Sequence, residues 1–173
     1  MIMFYTKIQK GFTLIEMLVA VLILSLVLGV GFSVIGGGLL SLFTARNQVT
    51  AFYLAQDAVE GVKNIRDTNA VNRDDWLSGI NCANECTIDV FYDPTASTLS
   101  IPRIENGVTN KKLYQAGDGR YAHIQGDVWT ETDFSRTLTI TEIESDREIR
   151  VDVTVGYGND KELSISEHIF NWR

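Results

Sequence analysis

The chain has 173 residues, 15 Lys and Arg against 22 Asp and Glu, a net charge of −7 and a mean hydropathy near zero. No residue from 17 to 45 is charged, whereas residues 46–173 carry 13 Lys/Arg and 21 Asp/Glu, and the first ten residues carry two Lys and no acid. An acidic body joined to an uncharged apolar rod excludes a cytosolic globular enzyme with its core spread along the sequence. It also disfavours a nucleic-acid binder that relies on net positive charge, and the many aromatic and β-branched residues of the body argue against disorder.

The first predicted element is a membrane helix. Residues 18–43 consist of Leu, Val, Ile, Ala, Gly and Phe with three Ser, and about 20 such residues cross a bilayer core. Lys7 and Lys10 precede the span, which places the N-terminus in the cytoplasm and the acidic body outside. A cleaved secretory signal would have an apolar stretch of roughly 7–15 residues, so the span is too long for that reading. A plain signal-anchor fits the length but leaves Glu16 unexplained, because a carboxylate at the edge of a membrane helix is costly.

The order Lys10-Gly11-Phe12-Thr13-Leu14-Ile15-Glu16 is informative. Gly11, having no side chain, suits a cramped peptidase site. Cleavage after it would give Phe12 a free amine, and on a helix Phe12 and Glu16 share a face. Glu16 falls in the first turn, where the helix dipole favours negative charge. If such helices pack side by side in an apolar medium, the Glu16 of one chain can pair with the Phe12 amine of a neighbour and set their stagger.

Gly11-Phe12-Thr13-Leu14-Ile15-Glu16, followed by Met17-Leu18-Val19-Ala20, resembles the class III signal of type IV prepilins and type II secretion pseudopilins. The resemblance implies cleavage between Gly11 and Phe12 by the membrane prepilin peptidase and N-methylation of Phe12. It implies that Glu16 guides filament assembly. It further implies a lollipop-like architecture and, as partners, the membrane, the peptidase, other pilin or pseudopilin subunits and the inner-membrane assembly platform. Most specifically, the chain is similar to minor pilins of the type IV pilus modification group. Gly29, Gly31 and Gly36-Gly37-Gly38 are poor helix formers. They suit either a hinge that melts in the filament or close helix packing through small residues.

Residues 46–67 read as an amphipathic helix. Ala51, Phe52, Leu54, Ala55, Ala58, Val59, Val62 and Ile65 gather on one side, with Tyr53, Asp57, Glu60 and Asn64 on the other. One continuous helix is expected from about Thr13 to Arg66, roughly 80 Å long. Residues 67–81 read as a polar loop tucked in by Trp76 and Leu77. Cys82 and Cys86 are too few for a closed zinc site, and in an oxidising compartment a disulfide is the better reading, with a free thiol pair as the alternative.

The rest is strand-like. Residues 87–92 and 98–104 form a hairpin around a turn at 93–97, and residues 111–114 pair with 121–124 around Gly117-Asp118-Gly119. Residues 134–143, 148–157 and 162–172 form an antiparallel meander, with Phe134, Arg136, Leu138 and Ile140 on one face and Ile149, Val151, Val153 and Val155 on one face. The fold expected is therefore α+β: a long N-terminal helix, half transmembrane and half amphipathic, packed on a C-terminal antiparallel sheet. The expected division is a leader at 1–11, a membrane and assembly helix at 12–45, an amphipathic half at 46–66 and an extracytoplasmic body at 67–173.

No catalytic motif, no metal site and no cofactor is expected. Asp74-Asp75 and Asp118 supply too few oxygens for calcium, His123 and His168 lie far apart in the chain, and Lys111-Lys112 is too small a basic patch to bind nucleic acid. The function read from the sequence is a structural subunit, a minor pilin or pseudopilin, located in the membrane before assembly and in a periplasmic or cell-surface filament after it. The rivals are a type II secretion pseudopilin and a membrane-anchored binding module that never polymerises.

Overall fold

A computed structural model describes residues 11–82, 84–89, 92–93, 98–99, 102–107, 110–124, 128–158 and 160–172. Among the described residues the order is α1 (Leu14–Asn72), β1 (Cys86–Asp89), β2 (Tyr92–Asp93), β3 (Thr98–Leu99), β4 (Arg103–Asn106), β5 (Lys112–Ala116), β6 (Tyr121–Ala122), β7 (Trp129–Glu144), β8 (Glu148–Tyr157) and β9 (Lys161–Phe170). This is the α+β arrangement, a long N-terminal helix followed by an antiparallel sheet that packs on it. The chain divides into two compact units, residues 1–43 and residues 44–173.

The first unit is helical from Leu14. Its described side chains are exposed throughout, among them Leu18, Leu22, Leu26, Val30, Leu40 and Phe43. A helix that is apolar all round and unburied needs an apolar medium. Ser25 satisfies its hydroxyl internally by donating to the Leu22 carbonyl at 2.8 Å, as a polar group in hydrocarbon must. The helix is continuous through Gly36, Gly37 and Gly38, and each would have open space around an added Cβ.

In the second unit, α1 buries Ala51, Leu54, Ala55, Ala58, Val59, Val62 and Ile65, a stripe at helical spacing. Three of these are alanines with no exposed surface, so the helix backbone lies close to the sheet. Against the stripe pack Ile88, Leu113, Leu138, Ile149, Val151, Val153, Val155 and Ile169. Burial of each Val, Leu or Ile contributes about 1.5–3 kcal/mol before chain entropy is counted. Phe52 departs from expectation: it lies off the stripe, 42% exposed, with its ring edge-on to Tyr53.

The helix also runs on to Asn72 instead of stopping at Arg66. Its end is a Schellman motif: Asp74 N–H donates to the Asn69 carbonyl at 2.9 Å, Arg73 N–H to the Ala70 carbonyl at 3.4 Å, and Arg73 takes the left-handed conformation at φ 65°. Asn69 is buried and its amide donates to the carbonyls of Trp76 and Ser78, which fastens the following turn to the helix. Trp76 is buried, and its indole N–H donates to Asp146 Oδ1 at 3.0 Å.

The sheet is built around β7. One side of β7 pairs with β8 over most of its length, from Phe134↔Tyr157 to Glu144↔Glu148, and β8 pairs with β9 from Glu148↔Phe170 to Tyr157↔Lys161. The other side pairs with β5 through residues 129–135 and with β1 at Cys86↔Leu138. β7 thus begins at Trp129, earlier than the expected residue 134. β5–β6 is the expected second hairpin. β1–β4 and β2–β3 are antiparallel ladders in hairpin order, and the turn residues 94–97 of that expected hairpin lie outside the described residues. Inward alternation is regular in β8, where Ile149, Val151, Val153, Val155 and Tyr157 are buried. Cys82 and Cys86 are joined by a disulfide, with Cα atoms 5.9 Å apart, at the entry to β1.

Candidate processing and assembly site

Local chemistry fixes where α1 begins. The Thr13 hydroxyl accepts a hydrogen bond from Glu16 N–H at 3.3 Å, and the Thr13 carbonyl accepts from Met17 N–H at 3.2 Å. Thr13 is therefore the N-cap, and Thr13-Leu14-Ile15-Glu16 has the capping-box pattern of a hydroxyl residue with an acid three positions later. Glu16 is the acidic residue of the first turn, where the helix dipole favours its charge. The Thr-x-x-Glu spacing was present in the sequence, and it is the signal by which Thr13 could have been singled out.

Gly11 and Phe12 precede the cap. Both are exposed, Phe12 at 79%, and a Cβ on Gly11 would meet nothing within 4 Å. An exposed Gly–Phe peptide outside regular secondary structure, immediately before a capped helix, is accessible to a protease. Phe12 does not share a helical face with Glu16 here, because the helix starts after it. In the uncleaved chain its nitrogen belongs to a peptide bond, so the charge pair argued from sequence needs cleavage first. Residues 1–10 of the expected leader lie outside the described residues.

The helix that follows is long and apolar enough to cross a membrane. Residues 6–32 match the family model described as the prokaryotic N-terminal methylation motif. The match contains Gly11, Phe12 and Glu16 and supports a type IV prepilin-like class III signal. With the exposed apolar helix, it supports a membrane-anchored protein that is processed by prepilin peptidase and associates with other pilin-like subunits. No curated protein and no solved structure matches the chain.

The body holds a second cluster, which the sequence reading did not single out. Arg136, on the inner face of β7, is wholly buried. Its Nη1 donates to the Leu54 carbonyl at 3.0 Å and to Asp57 Oδ2 at 2.9 Å, and its Nη2 donates to the Ile88 carbonyl at 2.7 Å. One guanidinium thus pins α1, β1 and β7 together. The sequence signal was an arginine inside the alternation Phe134, Arg136, Leu138.

Nearby, His123 N–H donates to Asp89 Oδ1 at 3.0 Å. Burial, with the Arg136 charge adding to it, pushes the His123 imidazole down to about 4, so the ring is neutral at pH 7. A carbonyl can only accept, so Nδ1 carries the proton toward the Lys112 carbonyl at 3.1 Å. Among the described residues, that leaves Nε2 buried without a partner. Burial raises the Asp89 carboxyl, opposed by the His123 backbone bond and by Arg136.

Arg136 and the His123–Asp89 hydrogen bond tie separate parts of the body together. His168 lies elsewhere and pairs with Glu148. Among the described residues, no group of three His, Cys, Asp or Glu side chains could hold a metal. Asp118 pairs with Arg120, and Asp75 accepts from Leu77 N–H.

Proposed function

We propose that the chain is a structural subunit, a minor pilin or pseudopilin, of a type IV pilus or a related filament. The observation that carries this reading is the methylation-motif match over residues 6–32, which includes an exposed Gly11–Phe12 peptide that abuts a capped apolar helix with Glu16 in its first turn. Prepilin peptidase cuts between Gly11 and Phe12, discards the 1–11 leader and methylates the new Phe12 amine. Residues 12–45 hold the subunit in the membrane and then in the filament core, residues 46–66 connect to the body, and residues 67–173 are displayed outside the membrane.

Two opposite charges then meet in an apolar medium. The Glu16 carboxylate of an incoming subunit pairs with the Phe12 amine of a subunit already in place. An unpaired charge there costs several kcal/mol, which sets the axial stagger. Glu16→Ala is expected to leave cleavage intact while reducing the subunit in sheared filaments by at least tenfold. Incorporation at the unsubstituted level would remove the charge pair from the account of assembly.

A further inference from the structure

On the body, Thr50, Tyr53, Leu54 and Asp57 of α1 face Arg120 and Tyr121 of the β5–β6 hairpin across a cleft of about 450 Å³. Tyr53 is 65% exposed, while Tyr121 is half-buried and held edge to face against Phe134, with ring centroids 5.9 Å apart. Neither tyrosine hydroxyl is committed to a hydrogen bond among the described residues.

Both charged groups of the cleft are fixed and neutralised. Asp57 Oδ2 is held by the buried Arg136, which leaves Oδ1 as an acceptor. The Arg120 guanidinium is paired with Asp118, with Nε donating to Oδ2 at 2.7 Å. The trough is therefore locally neutral on a chain of net charge −7. A small ion would require an uncompensated opposite charge, and a peptide anchor would require a deep apolar socket. The groups that remain are aromatic rings, tyrosine hydroxyls and a preorganised carboxylate oxygen. They suit a neutral molecule with an apolar ring face and many hydroxyls. We propose that this cleft binds a neutral saccharide, with Tyr53 against the sugar ring and Asp57 Oδ1 accepting from a sugar hydroxyl. The volume suffices for a mono- or disaccharide.

Saturation-transfer NMR tests this on the full chain in a phosphocholine detergent, which has no sugar headgroup. The probes are galactose, N-acetylglucosamine, lactose and maltose at millimolar concentration. At least one sugar should receive saturation, and Tyr53→Ala should weaken its binding about tenfold. Trp172→Ala, which removes an exposed aromatic outside the cleft, should leave binding unchanged. The proposal is overturned by the absence of transfer to all four sugars. It is equally overturned by binding that survives Tyr53→Ala, or by binding of a tyrosine-containing peptide in place of every sugar.

Discussion

Arg136 shows how one residue decides the packing of this body. Its guanidinium is wholly buried, and its one carboxylate partner, Asp57, is partly solvated, so the pair cannot be valued as a fully desolvated ion pair. What Arg136 adds is satisfaction of the Leu54 and Ile88 carbonyls on two different elements. Arg136→Ala leaves those acceptors and a cavity, and should destabilise the body by about 3 kcal/mol or more. Asp57→Ala should cost less, about 1–2 kcal/mol, because water can reach the exposed side of the pair. Urea denaturation read by near-ultraviolet circular dichroism orders the two variants, and an equal or reversed order would contradict the pin.

His123 predicts a pH dependence of definite sign. Its folded-state value of about 4 lies below the ordinary 6.5, so the folded body holds fewer protons than the unfolded chain between those limits. The stabilisation is complete above about pH 6.5 and is lost as pH falls to about 4, by up to about 3 kcal/mol. Asp89, whose carboxyl is raised by burial, works in the opposite direction and offsets part of this. His123→Gln should flatten the melting temperature between pH 6.5 and 4, and an unaltered profile would show that the imidazole is not the group responsible.

At the scale of elements, the caps carry the testable content. Thr13→Val removes the N-cap oxygen and should cost about 1 kcal/mol locally. The measurement is amide exchange in micelles, where Glu16 and Met17 should lose protection while Val59 and Val62 do not. Reducing Cys82–Cys86 opens only a small loop, so it should lower body stability by about 2 kcal/mol in the chain-entropy view. Matched melts with and without reductant measure it.

The elements also show what the sequence made legible. Alternation in residues 134–157 marks the β7–β8 faces, because successive side chains of a strand point to opposite faces of the sheet. The stripe from Ala51 to Ile65 gave the buried side of α1 for the same kind of reason. The end of α1 was not legible. Asp67, Asn69 and Asn72 look like loop residues, and the position that ends the helix in the left-handed conformation is Arg73, where glycine would have announced it. Tertiary bonds from Asn69 to the carbonyls of Trp76 and Ser78 hold the last turns, and no local pattern encodes them. Phe52 was misplaced because a hydrophobic wheel cannot tell a core position from an exposed aromatic beside it. At the N-terminus, by contrast, the methylation motif that includes Gly11, Phe12 and Glu16 is legible in the sequence, because it is a contiguous run of residues and does not depend on the fold.

For the whole molecule, the near-zero mean hydropathy and the charge of −7 resolve into parts with separate fates. Under the proposed cleavage, loss of Lys7 and Lys10 with the leader would make the mature side-chain charge −9, and the new Phe12 amine would be the positive group available to Glu16. Gly11→Leu meets no obstacle within this chain, so under the proposed processing it should trap the uncleaved chain in the membrane by failing to fit a cramped peptidase site. The most direct test of the central claim is the intact mass of the protein extracted from membranes of cells with an active prepilin peptidase. The account predicts loss of residues 1–11 and gain of a single methyl group on Phe12. A chain that retains Met1, or one cut at any other bond, would contradict it.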